Sequence, residues 1–64
     1  MARSPRAARW VLVGNDDGTF DLIRNGRQIL VGASEQQVHR TLRQQRGRKD
    51  RMFQQAEDGY LLPM

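Results

Sequence analysis

The sequence predicts an α+β fold: a three-stranded antiparallel β-meander followed by one main α-helix, β-β-β-α. Two observations carry this. Residues 9–32 hold three short runs rich in β-branched and aromatic residues, RWVLVG, TFDLIR and RQILVG, divided by turn signals. The chain then changes to a helical period over 34–46. That segment opens on Ser34 with Gln37 three residues later, the pattern of a capping box.

Residues 1–8, MARSPRAA, contain small residues, a proline and two arginines. They read as a flexible basic arm with nothing to bury, ahead of a single small α+β domain over 9–62. Within that domain the second separator is Asn25-Gly26, the strongest short-range hairpin signal, because a type I′ turn needs positive φ at both central positions. Such a turn pairs Arg24 with Arg27, Leu22 with Ile29 and Phe20 with Val31. The first separator, NDDG at 15–18, can close as a four-residue loop that sets Val13 against Phe20 and Val11 against Leu22. Together the two turns predict one apolar face of Val11, Val13, Phe20, Leu22, Ile29 and Val31. The other face is mixed. Trp10, Leu12, Ile23 and Leu30 stand there beside Arg9, Thr19, Asp21 and Gln28, so a cover is expected from the C-terminal tail or a second copy of the chain.

In the helix, Ser34 is the N-cap, a position worth about 1 kcal/mol. Glu35 in the first turn and Arg46 in the last suit the macrodipole. Val38 and Leu42 make a narrow apolar stripe. Beyond it, Gly47 and Asp50 look like a C′ glycine and a new N-cap, predicting a second short helix over 51–57. The alternative is one helix over 35–57, since Met52, Phe53 and Ala56 share the angular window of Val38 and Leu42. That helix would be about 34 Å long and would cross Gly47, so the break is preferred. The tail brings Tyr60, Leu61 and Leu62, three apolar residues that need a partner surface.

Charge narrows the function. The chain has 64 residues, eleven basic against seven acidic, and a net charge of +4. Lys49 is its only lysine, and arginine's planar fork suits phosphate and carboxylate pairing. With no cysteine, disulfides and thiolate metal sites are excluded. The lone His39 and the scattered carboxylates offer no metal-ligand set. The acids Asp16, Asp17 and Asp21 sit at a turn where Asp and Asn are favoured for local hydrogen bonding, and their spacing is not that of a calcium loop. His39 lacks a nucleophile or carboxylate in catalytic relation, and the glycines follow no phosphate-loop spacing. No enzyme and no cofactor are expected. A chain this short buries only about 60% of its unfolded surface, so a partner is the remaining source of stability. The apolar run at 10–13 is too short for a signal peptide and no stretch approaches the roughly 18 residues of a membrane span. A cytoplasmic protein in a bacterial host is the expectation.

The basic residues are the strongest lead. Arg40, Arg43, Arg46, Arg48, Lys49 and Arg51 fall close together with Asp50 the only acid among them. Arg3 and Arg6 in the arm, Arg24 and Arg27 at the hairpin, and His39 on the helix join them. These eleven residues form the candidate nucleic-acid site, with DNA preferred over RNA and a phage or mobile-element regulator as the expected role. A solvated helix face is the plain alternative. In one docking the helix enters the major groove and the arm reaches the minor groove. In the other the sheet reads the groove: a three-stranded meander followed by a helix resembles, in topology, the AP2-type and integrase arm-binding domains. That resemblance implies Arg9, Gln28 and Thr19 on the reading face. Base stacking has one candidate, Trp10. The second hypothesis is a protein-interaction module, a phage-encoded inhibitor or adaptor that meets an acidic host protein. Trp10, Leu12, Ile23, Leu30, Met52, Phe53, Tyr60, Leu61 and Leu62 are the interface candidates for that partner or for a homodimer.

Overall fold

The computed structural model describes residues 7–56 and 58–64. Its elements are β1 (Arg9–Gly14), β2 (Phe20–Arg24), β3 (Arg27–Ala33), α1 (Glu35–Gln45), β4 (Arg51–Gln55) and β5 (Leu61–Pro63). The α+β class holds, but the sheet is mixed and five-stranded, in the order β3-β2-β1-β4-β5. Strands β1 and β4 are parallel, and the other neighbours are antiparallel. The chain leaves the β3 edge, crosses the sheet through α1, and inserts β4 on the far side of β1.

Residues 51–56, the described part of the predicted 51–57 segment, are therefore not helical, neither as a second helix nor as an extension of α1. Their first five residues are a strand, with Met52 buried on the helix-covered side and Phe53 half-buried on the other. The reason lies in β1. Its run WVLV is apolar on both faces, as suits an interior strand, and a three-stranded sheet would have left its backbone edge unpaired. Asp50, expected as an N-cap, instead directs its carboxylate back at the start of β1. The tail supplies β5, whose Leu61 faces Gln55 and whose Pro63 faces Phe53; proline is tolerated there because the strand is at an edge.

The Asn25-Gly26 turn forms as expected, with φ of 51° and 80° and Arg24 opposite Arg27. Beyond it the register departs. Leu22 faces Leu30 rather than Ile29, and Phe20 faces Ala33 rather than Val31, through two register shifts. These leave Ile29 and Leu30 both packed on the core and turn Val31 out to solvent. Gly32, at φ 60°, takes a backbone conformation that side chains disfavour. Its N–H finds Asp21 Oδ1 at 2.9 Å.

The first connection is also longer than NDDG. Gly14 pairs with Phe20, so the loop is 15–19. It is closed by Asn15 N to Thr19 O (2.8 Å) and by Asp17 Oδ1, which accepts from the Thr19 amide and hydroxyl. That one-residue change reverses the face of β1. Trp10 and Leu12 point towards α1 with Phe20 and Leu22, whereas Val11 and Val13 point away with Ile23 and Phe53.

The core thus lies under α1. Trp10 and Leu22 are fully buried, joined by Ala8 and Met52, with Leu12, Ile29, Leu30 and Leu42 against them. Ala8 belongs to this core although the sequence groups it with the arm. Ser34 caps α1 as expected: its side chain accepts from Gln37 N (3.2 Å) and Gln37 Oε1 accepts from Ser34 N (3.0 Å). Between α1 and the sheet a cavity of about 200 Å³ is walled by Leu12, Phe20, Val38, Leu42, Met52 and Met64. Among the described residues, no helix is long and apolar enough to cross a membrane.

Candidate nucleic-acid interface

Strand polarity assembles the site. Strands β1, β3 and β4 run in one direction and β2 in the other. The first residues of those three, Arg9, Arg27 and Arg51, and the last residue of β2, Arg24, therefore share one end of the sheet, here the basal end. Helix α1 returns the chain towards that end, and the connection from α1 to β4 adds Arg46, Arg48 and Lys49. Asp16, Asp17, Asp21, Glu35 and Asp58 lie at the opposite, distal end, in or beside the loops between strands. The molecule is electrically polar along its strands.

Among the described residues the basal end has one acidic side chain, Asp50, and it faces inward. Oδ1 accepts from Ala8 N at 2.8 Å; Oδ2 accepts from Trp10 Nε1 at 2.9 Å and from Gly47 N at 2.7 Å. Donation by the Trp10 indole, followed by the Ala8 and Gly47 amides and the nearby Arg24 charge, holds its carboxyl down at about 2. Three directed donors occupy this carboxylate, so the surrounding guanidinium groups are left to solvent. The single ion pair among the described residues is His39 Nε2 to Glu35 Oε1 at 3.6 Å, exposed on the helix. No described arginine or lysine is ion-paired.

Two arginines stand over aromatic rings. The Arg24 guanidinium lies 5.7 Å from the Trp10 ring centroid, and that of Arg9 lies 5.7 Å from the Phe53 centroid, within cation–π range. Arg46 Nη2 donates to the Asp50 carbonyl at 3.4 Å, which draws it towards the β4 start. The distal carboxylates are committed to their own loop. Hydrogen bonds from the Thr19 hydroxyl and amide lower the pKa of Asp17. Those from Gly32 N and the Asn15 side chain lower that of Asp21.

The candidate residues are thereby divided. Arg24, Arg27, Arg46, Arg48, Lys49 and Arg51 come together at the basal end. His39, Arg40 and Arg43 line a shallow groove with Gln36 and Gln44 on the outer face of α1, running from mid-helix towards that end. Arg3 and Arg6 lie outside the described residues. Arg9, named only through the sheet-reading resemblance, is a full member of the basal cluster. The signal for it was present, since RWVLVG, DLIR, RQILVG and RMFQQ each carry arginine at one terminus. It becomes spatial only when β4 is known to run parallel to β1.

The interface candidates are divided as well. Trp10 and Met52 are core and present nothing to a partner, so Trp10 is no stacking platform. Leu12 and Leu30 are partly buried under α1. Ile23 and Phe53 are half-buried on the open sheet face, and Tyr60, Leu61 and Leu62 are exposed. The sheet-reading resemblance rested on a three-stranded meander, which the fifth and fourth strands replace. No group of three or more potential metal ligands occurs among the described residues. No family model, curated protein or solved structure matches the chain.

Proposed function

We propose that this chain is a small non-enzymatic nucleic-acid-binding protein that grips phosphates with its basal end, DNA before RNA, in a regulatory role suited to a phage or mobile element. The observation that carries the reading is the collection at one end of arginines that, among the described residues, form no ion pair, with Asp50, the one acidic side chain described there, turned inward. Arg24, Arg27, Arg46, Arg48 and Lys49 form the gripping set, and Arg40 and Arg43 extend it up the helix. Guanidinium groups free of carboxylates keep their fork of donors for phosphate oxygens. Burial of Trp10 argues for duplex over single strands, which are held by exposed rings.

Fluorescence anisotropy with a labelled duplex tests this. Engaging four to six phosphates gives a slope of about −4 to −5 for log affinity against log salt. A flat salt response, or no binding at low salt, refutes the proposal. Parallel titrations with RNA duplex and single-stranded DNA test the preference for DNA. The second reading, a module that binds an acidic host protein, is favoured by the half-exposed apolar residues opposite α1. A protein partner retained from nuclease-treated host lysate by the chain, and lost on removing those residues, would support it over the first.

A further inference from the structure

The sheet has one helix on one face and, among the described residues, nothing on the other. That open face carries Val11, Val13, Ile23 and Phe53 side by side, since Val11 is opposite both Ile23 and Phe53 in the register. All four are half-buried, and Leu61 and Pro63 continue the strip onto β5. A contiguous apolar surface of this kind marks a contact site. A chain this small also has few other ways to bury more carbon.

The charges framing the strip indicate its occupant. At its basal margin, Arg9 and Arg51 are register partners pointing to the open side. At its distal margin stand Asp21, opposite Val13, and Asp16, grouped with Val13 and Gln55. A surface positive at one end and negative at the other complements itself only when turned around. Two copies stacked with parallel strands would set Arg9 and Arg51 against their own kind. With antiparallel strands, each arginine pair meets the other copy's aspartates. We infer that the open face is a homodimer interface in which two copies pack sheet to sheet, strands antiparallel, about a two-fold axis. This pairing is isologous and closed. The apolar strip supplies the affinity, and the charges select the orientation. The interface takes up Arg9 and Arg51 of the basal cluster and passes close to Arg46, which lines a pocket with Phe53 and Pro63. The inference does not rest on the nucleic-acid reading, since the apolar strip and its framing charges carry it alone.

Sedimentation of the purified chain, freed of nucleic acid, gives the first test: a concentration-dependent dimer is expected. The affinity should fall moderately with added salt, because the framing charges are exposed. Val11→Glu, which sets a charge in the strip, should raise the dimer dissociation constant about tenfold or more while the circular dichroism spectrum is kept. Ile23→Lys serves as the second variant should the first not fold. Orientation is read by cross-linking, made clean by the absence of native cysteine. Arg9→Cys mixed with Asp16→Cys should give a crossed dimer with a short bis-maleimide, and neither variant alone should. A monomer at all concentrations overturns the inference, even if a foreign protein covers the face. Self-cross-linking of Arg9→Cys overturns the antiparallel arrangement.

Discussion

The two ends of the sheet use aspartate in the same way and reach opposite results. At the distal end, Asp17 and Asp21 accept hydrogen bonds from Thr19, Asn15 and Gly32, all within or beside a single loop and hairpin. At the basal end Asp50 joins two pieces of chain far apart in sequence: the start of β1, through the Ala8 amide and the Trp10 indole, and the turn after α1, through Gly47. The first arrangement closes a loop; the second fastens the crossover to the sheet. The electrostatic consequence differs too. Distal carboxylates remain a net negative cap, whereas the basal carboxylate is enclosed by backbone and indole donors and leaves its arginine neighbours unpaired. One partly buried carboxylate thus serves both the fold and the candidate site.

That contrast can be broken most severely at Trp10. Its ring is fully buried at the centre of the core and its N–H is the first cause of the low Asp50 pKa. Trp10→Ala should cost about 3–5 kcal/mol. Small domains hold only about 0.05–0.15 kcal/mol per residue in total, so the variant should be largely unfolded by circular dichroism. Asp50→Ala comes next, because it leaves a buried indole N–H and two amides without their acceptor. It should lower the urea midpoint clearly more than Asp21→Ala does. Equal effects would remove the distinction between a fastening and a loop closure.

Acid sharpens the same comparison. Asp50 titrates near 2 in the folded chain against an ordinary 3.8, so the unfolded state takes up its proton first. Its contribution is complete above about pH 4 and is lost as pH falls from there to about 2. Asp17 and Asp21 are also lowered and act with the same sign. Urea midpoints should fall between pH 5 and pH 2, and Asp50→Asn should flatten the fall more than Asp17→Asn. A profile unchanged by Asp50→Asn would show that the carboxylate charge contributes nothing to the basal joint.

Which parts of this arrangement could be read from residues follows from the range of the interactions. The Asn25-Gly26 turn, the Arg24–Arg27 pair and the Ser34 cap are decided within four residues, and each stands as the sequence predicts. The face of β1 was not legible in that way, since it depends on whether one residue, Thr19, counts as strand or loop. Helical and strand periods both fit RMFQQ: Met52 and Phe53 are adjacent, and only the free edge of β1, some forty residues away, decides between them. The apolar excess on the supposed outer face of β1, Trp10 and Leu12, was the visible trace of the reversed face, since these residues are the ones α1 covers. For the candidate site, the local cluster after α1 could be read directly. Arg24 and Arg27 were grouped with it from their charge and their hairpin, but the place of Arg9 beside them could not be read, because it follows from strand direction.

Removing basal charge should act on ligand affinity and leave the fold alone. Arg27 and Arg24 are both exposed, and the Arg24 side chain meets Trp10, its register partner, with the guanidinium 5.7 Å from the ring centroid. Arg24→Ala with Arg27→Ala should therefore weaken duplex binding uniformly across sequences and reduce the salt slope by about 2, with a small change in melting temperature. Asp16→Ala at the distal end should leave the slope unchanged. An equal loss from both ends would mean that net charge, and not the basal cluster, attracts the polyanion.

The smallest effect belongs to the helix start at the distal end. Ser34 and Gln37 satisfy one another's amides in a reciprocal pair, but both are exposed and water can replace either oxygen. Ser34→Ala should cost about 1 kcal/mol in urea unfolding, without the pH dependence of the Asp50 variants and with duplex affinity intact. The position also separates two roles for α1. The helix carries Arg40 and Arg43 on its outer face while Val38 and Leu42 hold its inner one, so fraying its first turn tests whether the groove arginines need a rigid helix. If Ser34→Ala weakens duplex binding as much as the Arg24→Ala, Arg27→Ala pair does, the helix groove rather than the basal end is the principal phosphate contact.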